Sequence, residues 1–287
     1  MSKPNFLTHF SILVYHQIGR GNNLDYLILD KSLFTEQMHF ITKHYRPFSL
    51  EDLLQTIRRT GAIPPKSIVV TFDDGYANTY SEAFPILQKY KIPATLFITT
   101  GFIENSVRSP YAAKMMSWKM VKEMHKSGIE IGSHTLTHPN LRNCGAKKAA
   151  YEMTESKKQI EQKIQAPVKT LAYPYGSSRA FSETTQSLAK KAGYLGACTT
   201  VSGQNERTTN PFALRRISLA KSQIRFFALQ VSELTKGNLP PEEMAALGGI
   251  NQKVIRLWKN RYDWLGKRLK RDDFLNAQKE ARGSGKA

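Results

Sequence analysis

Short apolar runs alternate with longer stretches of amphipathic helical spacing along most of the chain. Ser11–Tyr15, Ser67–Phe72, Ala94–Thr99, Ile129–Ser133, Thr170–Ala172, Leu195–Cys198 and Leu214–Ile217 read as strands. Two contain continuous apolar runs, Ile68-Val69-Val70 and Leu96-Phe97-Ile98. Such runs suit parallel strands covered on both faces. Helix signals lie between them. Ser49 caps a segment with Glu51 and Asp52 in its first turn. Ser117 and Trp118 open a second, which Gly128 closes. Residues 146–165 carry apolar or small residues at helical spacing, and Pro167 stops that helix. Ser182–Lys191 forms another, ended by Gly193. This alternation predicts βαβ units and a mostly parallel sheet. Roughly seven such units suit a (β/α) barrel, complete or distorted, with an open doubly wound sheet as the alternative. In both, chemistry belongs at the C-terminal ends of the strands.

The pattern changes near Pro240-Pro241. We read residues 1–232 as the main domain and 233–287 as a basic helical extension ending in a frayed tail. Within it Val254, Trp258, Tyr262, Leu265 and Leu269 share one helical face, amid Lys and Arg residues opposed by a single acid, Asp263, until Asp272. Such a helix at residues 253–271 either packs on the main domain or rests on an anionic membrane surface. The whole chain of 287 residues carries 42 Lys+Arg against 23 Asp+Glu, a net charge of +19. That favours anionic partners or a plain basic surface. No zinc-finger spacing or RNA-binding aromatic motif accompanies the charge, so no nucleic-acid partner is expected. Cys144 and Cys198 form no disulfide framework. Phe10–Tyr15 is too short for the apolar core of a leader, and no run is long enough to cross a membrane. A cytoplasmic location, free or peripheral to a membrane, is the expectation from this start.

Three segments carry chemistry. Val69-Val70-Thr71-Phe72 runs into Asp73-Asp74-Gly75, so two carboxylates leave one strand end together. Asp-Asp-Gly is good turn chemistry, but two adjacent buried acids call for a cation. Ile131-Gly132-Ser133 runs into His134-Thr135-Leu136-Thr137-His138. Histidines at i and i+4 can share a helical or turn face and converge on a metal. His134, His138 and one carboxylate form the His₂-carboxylate set of a catalytic zinc. Leu171-Ala172-Tyr173-Pro174-Tyr175-Gly176 ends a third strand. There a backbone N–H near Tyr175 can serve as an oxyanion donor, and Tyr173 and Tyr175 can form a wall for a sugar ring.

These motifs, in this order, resemble the polysaccharide deacetylase family, carbohydrate esterase family 4 with its NodB-homology domain. The resemblance covers roughly residues 10–220 and includes Tyr15-His16, Pro93-Ala94-Thr95-Leu96-Phe97 and Gly128-Ile129-Glu130-Ile131-Gly132. It implies a distorted (β/α) barrel that hydrolyses an N-acetyl amide on a sugar and releases acetate. It implies that Asp74, His134 and His138 bind a divalent metal, most often zinc, and that Asp73 is the general base. Trp118, by the same pattern, bounds the sugar subsite. Two departures stand out. Many members carry an arginine two residues before the proline of the third motif, where this chain has Ala172. Arg216 is the candidate to orient Asp73 instead. Many members also supply a late histidine as general acid, yet no histidine follows His138. His16, at the end of the first strand, is the replacement candidate. An inactive glycan-binding relative is the runner-up reading, and a binder of anionic surfaces or nucleic acid ranks last.

Overall fold

The computed structural model describes residues 9–20, 27–105 and 113–218. The predicted boundary at 232/233 and the basic helix at 253–271 lie outside the described residues. In chain order the strands are β1 (His9–Tyr15), β2 (Gln17–Ile18), β3 (Ile28–Leu29), β4 (Arg46–Phe48), β5 (Ser67–Phe72), β6 (Ala94–Ile98), β7 (Glu130–Ser133), β8 (Thr170–Ala172), β9 (Gly196–Cys198), β10 (Asn205–Glu206) and β11 (Ile217–Ser218). The α-helices are α1 (Lys31–His44), α2 (Leu50–Thr60), α3 (Phe84–Tyr90), α4 (Trp118–Lys126), α5 (Ala146–Ile164) and α6 (Glu183–Lys191). No helix among the described residues is long and apolar enough to cross a membrane.

The main sheet runs β1-β5-β6-β7-β8-β9, every pair parallel. β4 shares one edge of β5 with β6, alongside Ser67–Val69. β10 adds antiparallel to β1. The sheet curls, and residues 214–218 join its ends. Leu214 bridges Cys198 of β9, while Ile217 and Ser218 pair with Leu13 and Val14 of β1. The architecture is thus the predicted distorted (β/α) barrel. The predicted strand Leu214–Ile217 needs correction: the segment crosses from one sheet end to the other, so only β11 ladders. The prediction also missed α1, capped by the Asp30 carboxylate on Ser32 N at 2.7 Å.

The barrel interior follows the pleat. Phe10 and Ile12 of β1, Val69 of β5, Phe97 of β6, Ala172 of β8, Cys198 of β9 and Leu214 form one buried cluster with Leu50 and Leu53 of α2. Two α2 amides are tied to strand side chains: Leu50 N donates to Thr95 Oγ1 at 2.9 Å, and Glu51 N to Glu130 Oε2 at 2.9 Å. Gly132 lies against Phe97, where a Cβ would sit 2.5 Å from that ring and 2.9 Å from Thr170 Oγ1. Gly132→Ala is therefore expected to destabilise the fold by about 1–3 kcal/mol, the usual range for overpacking. A urea melt checks this, and an unchanged midpoint would contradict the packing described.

Ladder ends set the level of the site. Tyr15 pairs Phe72, Ile98 pairs Ser133 and Ala172 pairs Cys198, each the last rung of its ladder. The next residues, among them His16, Asp73, His134 and Tyr173, leave their strands at one C-terminal rim. Two bonds extend the ladders there: Asp73 N donates to Tyr15 O at 3.0 Å, and His134 N to Ile98 O at 2.8 Å.

Candidate active site

Asp73 continues the inward register of Val69 and Thr71, because alternate strand residues share a face. It is 2% exposed and meets Arg216, itself 1% exposed. The guanidinium grips the carboxylate with both arms, Nη1 to Oδ1 at 2.7 Å and Nη2 to Oδ2 at 2.6 Å. Arg216 is fixed in turn. Its Nε donates to Thr199 O at 2.8 Å and its Nη1 to Thr71 Oγ1 at 3.2 Å. Burial pushes the Asp73 pKa up, but Arg216 and then His134 hold it below the ordinary carboxylate value. The arginine expected from the missing motif position thus arrives from the segment that joins the barrel ends.

Asp74, His134 and His138 form the second group. They are 2%, 2% and 7% exposed. Both Nε2 atoms lie 3.4 Å from Asp74 Oδ1. One ligand atom from each of the three can be chosen so that all lie within 4.8 Å of one another. His134 Nδ1 sits 2.8 Å from Ala172 O. A carbonyl only accepts, so Nδ1 carries a proton and Nε2 is the nitrogen turned toward Asp74. That bond is the usual outer support of a metal-binding histidine. Asp74 Oδ1 is buried and accepts no well-formed hydrogen bond among the described residues. A buried carboxylate oxygen faced by two imidazole nitrogens fits a divalent cation, and the N/O donor set suits zinc.

The two histidines meet through a strained turn and not along a helix. Asp74, Thr135, His138 and Tyr175 all have left-handed backbones, with φ of 74°, 70°, 60° and 61°. Each such non-glycine residue costs on the order of 1–3 kcal/mol, and such strain gathers at functional sites. Local bonds hold the turn: Thr135 N donates to Ser133 Oγ at 3.1 Å, and His138 N to Thr135 Oγ1 at 3.1 Å.

Known proteins place this arrangement. The family model described as polysaccharide deacetylase matches residues 60–197. YxkH of Bacillus subtilis (strain 168), named for the same family, is 30% identical over 210 residues, 73% of this chain and 71% of that protein. The chain belongs to the polysaccharide deacetylase family. It is accordingly an enzyme of the deacetylase type. The poly-β-1,6-N-acetyl-D-glucosamine N-deacetylase of Staphylococcus aureus (strain N315) is 32% identical over 201 residues, 67% of this chain and 66% of that protein. Among solved structures, the Streptococcus pyogenes deacetylase PplD in complex with acetate superposes with a TM-score of 0.69 at 28% identity, over 78% of this chain and 97% of that one.

Other residues proposed for this deacetylase site fare differently. His16 is half-buried and follows β1 directly. It lies within electrostatic reach of Asp73 and Asp74. Tyr175 is 43% exposed, and its ring meets His138 edge-on with centroids 4.8 Å apart. Tyr173 is a correction. It is fully buried, stacked on Phe181 at 5.2 Å, with its hydroxyl donating to Phe212 O at 2.9 Å, so it offers no face to a sugar. Trp118 is half-buried, with the Lys163 ammonium over its ring at 5.6 Å. Two residues before it, Met116 N donates to Gly75 O at 2.9 Å, beside Asp74.

Sequence reading missed Glu152, although a signal existed. It occupies a buried position of α5 together with Ala149, Met153, Ser156 and Ile160. An acid at helical core spacing is rarely there without a polar partner.

Proposed function

We propose that the enzyme removes N-acetyl groups from an amino-sugar glycan, using a divalent metal, zinc first, held by Asp74, His134 and His138. The observation that carries this is the buried three-residue donor set next to an Asp73 gripped by Arg216. A polymer of β-1,6-linked N-acetylglucosamine is the first substrate to try, supported by the name of the Staphylococcus aureus relative. The acetate bound in the PplD structure supports acetate as the product.

A bound divalent ion would acidify a water and polarise the acetyl carbonyl. The remaining work falls to this chain's own residues. Asp73 takes a proton from the attacking water through the carboxylate lone pairs that Arg216 leaves over. The water oxygen bonds to the acetyl carbon, and a backbone N–H near Tyr175 donates to the oxyanion that forms. The exposed Tyr175 ring borders the sugar. His16 gives a proton to the amine as the C–N bond breaks, so acetate and a free amino sugar leave.

Acetate release across chitin oligomers, poly-β-1,6-N-acetylglucosamine, peptidoglycan fragments and lipid-linked sugars tests this reading. Release from at least one is expected, and no release from any by zinc-loaded protein would overturn it. His16→Ala on the best substrate should keep its metal and turn over about 10²–10⁴-fold more slowly. Parental turnover in that variant would remove His16 from the mechanism.

A further inference from the structure

We propose that Glu152 is a positioning residue for the metal pair, holding the His134–His138 turn in its chelating shape from outside the site. This rests on the metal reading above. Glu152 is 2% exposed and lies on α5. Its Oε2 accepts from Leu136 N at 3.0 Å and from Thr137 N at 2.8 Å. Its Oε1 accepts from Thr137 Oγ1 at 2.6 Å. One carboxylate thus satisfies two adjacent amides of the strained turn between the histidines. Ser156, one helical turn on, adds a second support: its Oγ lies 2.9 Å from Ser133 Oγ, the acceptor of Thr135 N. The turn is held on its other side through carbonyls, with Thr100 N donating to Thr135 O at 3.2 Å and Gly101 N to Leu136 O at 2.8 Å.

The physical argument is preorganisation. His134 is fixed by its strand and by Ala172 O, whereas His138 depends on the turn to face the same ion. Backbone strain there persists only where surrounding bonds over-determine it. Without the carboxylate, the amides of Leu136 and Thr137 lose the acceptor that ties this partly exposed turn to α5, and the turn relaxes toward ordinary backbone angles. His138 Nε2 then no longer converges with His134 Nε2. Outer supports of this kind typically change metal affinity by about 10–100-fold.

The test is zinc affinity, measured on the metal-free protein by competition with a chromophoric chelator. The variants are Glu152→Ala, Glu152→Leu and Glu152→Gln, with Ile160→Ala as a control on the same helix. Glu152→Ala and Glu152→Leu are expected to bind zinc about 10–100-fold more weakly. Leu fills the space of the side chain, so it carries the test if the alanine variant does not fold. Glu152→Gln keeps one oxygen for the two amides, and its zinc affinity should recover to within about tenfold of the parent. Ile160→Ala, a buried truncation remote from the turn, should lower the melting temperature and leave zinc affinity unchanged. Parental zinc affinity in the folded Ala or Leu variant would overturn the inference. So would an equal loss of affinity in Ile160→Ala. A parent that binds no zinc would overturn the metal reading itself, which separates the two failures.

Discussion

Asp73→Asn should retain zinc at the parental stoichiometry and lose acetate release by about 10²–10⁴-fold, the range for a lost acid–base group. The substitution preserves size and leaves Asp74, His134 and His138 intact. It removes the acceptor of the water proton and also alters the pairing with Arg216. Both carboxylate oxygens of Asp73 face guanidinium donors at 2.7 and 2.6 Å. An amide presents an NH₂ to one of those donors, and two donors repel. Some loss of thermal stability is therefore expected too. Acetate release well below the variant's melting point separates the two effects. A folded, zinc-loaded Asp73→Asn enzyme with parental turnover would remove Asp73 as the base.

Arg216→Met carries the second large effect. Arg216 and Asp73 are a buried pair, 1% and 2% exposed. Removing the cation leaves Asp73 charged, buried and without its main partner. Breaking such a pair costs about 3–5 kcal/mol. Met is the fair replacement because it can lie along the same path over Phe97, whose ring centroid is 5.9 Å from the guanidinium carbon. Arg216→Met alone should thus melt at far lower denaturant than the parent, with turnover reduced as well. Arg216→Met with Asp73→Ala should lose less stability than the two single variants added together. Residues in direct contact couple by about 0.5–3 kcal/mol in such cycles. Strict additivity in urea melts would contradict the pairing described.

The charge pattern and the hydrophobic pattern were unequal guides. Apolar runs such as Ile68-Val69-Val70 identified strands because the barrel covers both faces of β5, leaving every residue from Ser67 to Phe72 buried. Asp73-Asp74 and His134-x-x-x-His138 were legible because buried acids and paired histidines at strand ends have few other uses. Arg216 was legible only as a replacement for a missing arginine, since its partner Asp73 lies 143 residues away in sequence. Tyr173 and Tyr175 looked alike, two residues apart. The left-handed turn at Tyr175 sends one ring to His138, while Tyr173 is locked against Phe181. No local pattern records that difference. The β4 strand and the segment joining the barrel ends were obscured by their shortness, for two or three residues carry no readable period.

Asp74, His134 and His138 are proposed to hold a divalent ion on which deacetylation depends. The direct measurement is acetate release from a partly N-acetylated glucosamine polymer by enzyme stripped with chelator, then refilled with zinc. Near-complete loss on stripping is expected, with recovery as zinc approaches one equivalent and neither binding nor recovery in His138→Ala. Stripped enzyme that is verified metal-free and still releases acetate at the parental rate would contradict it.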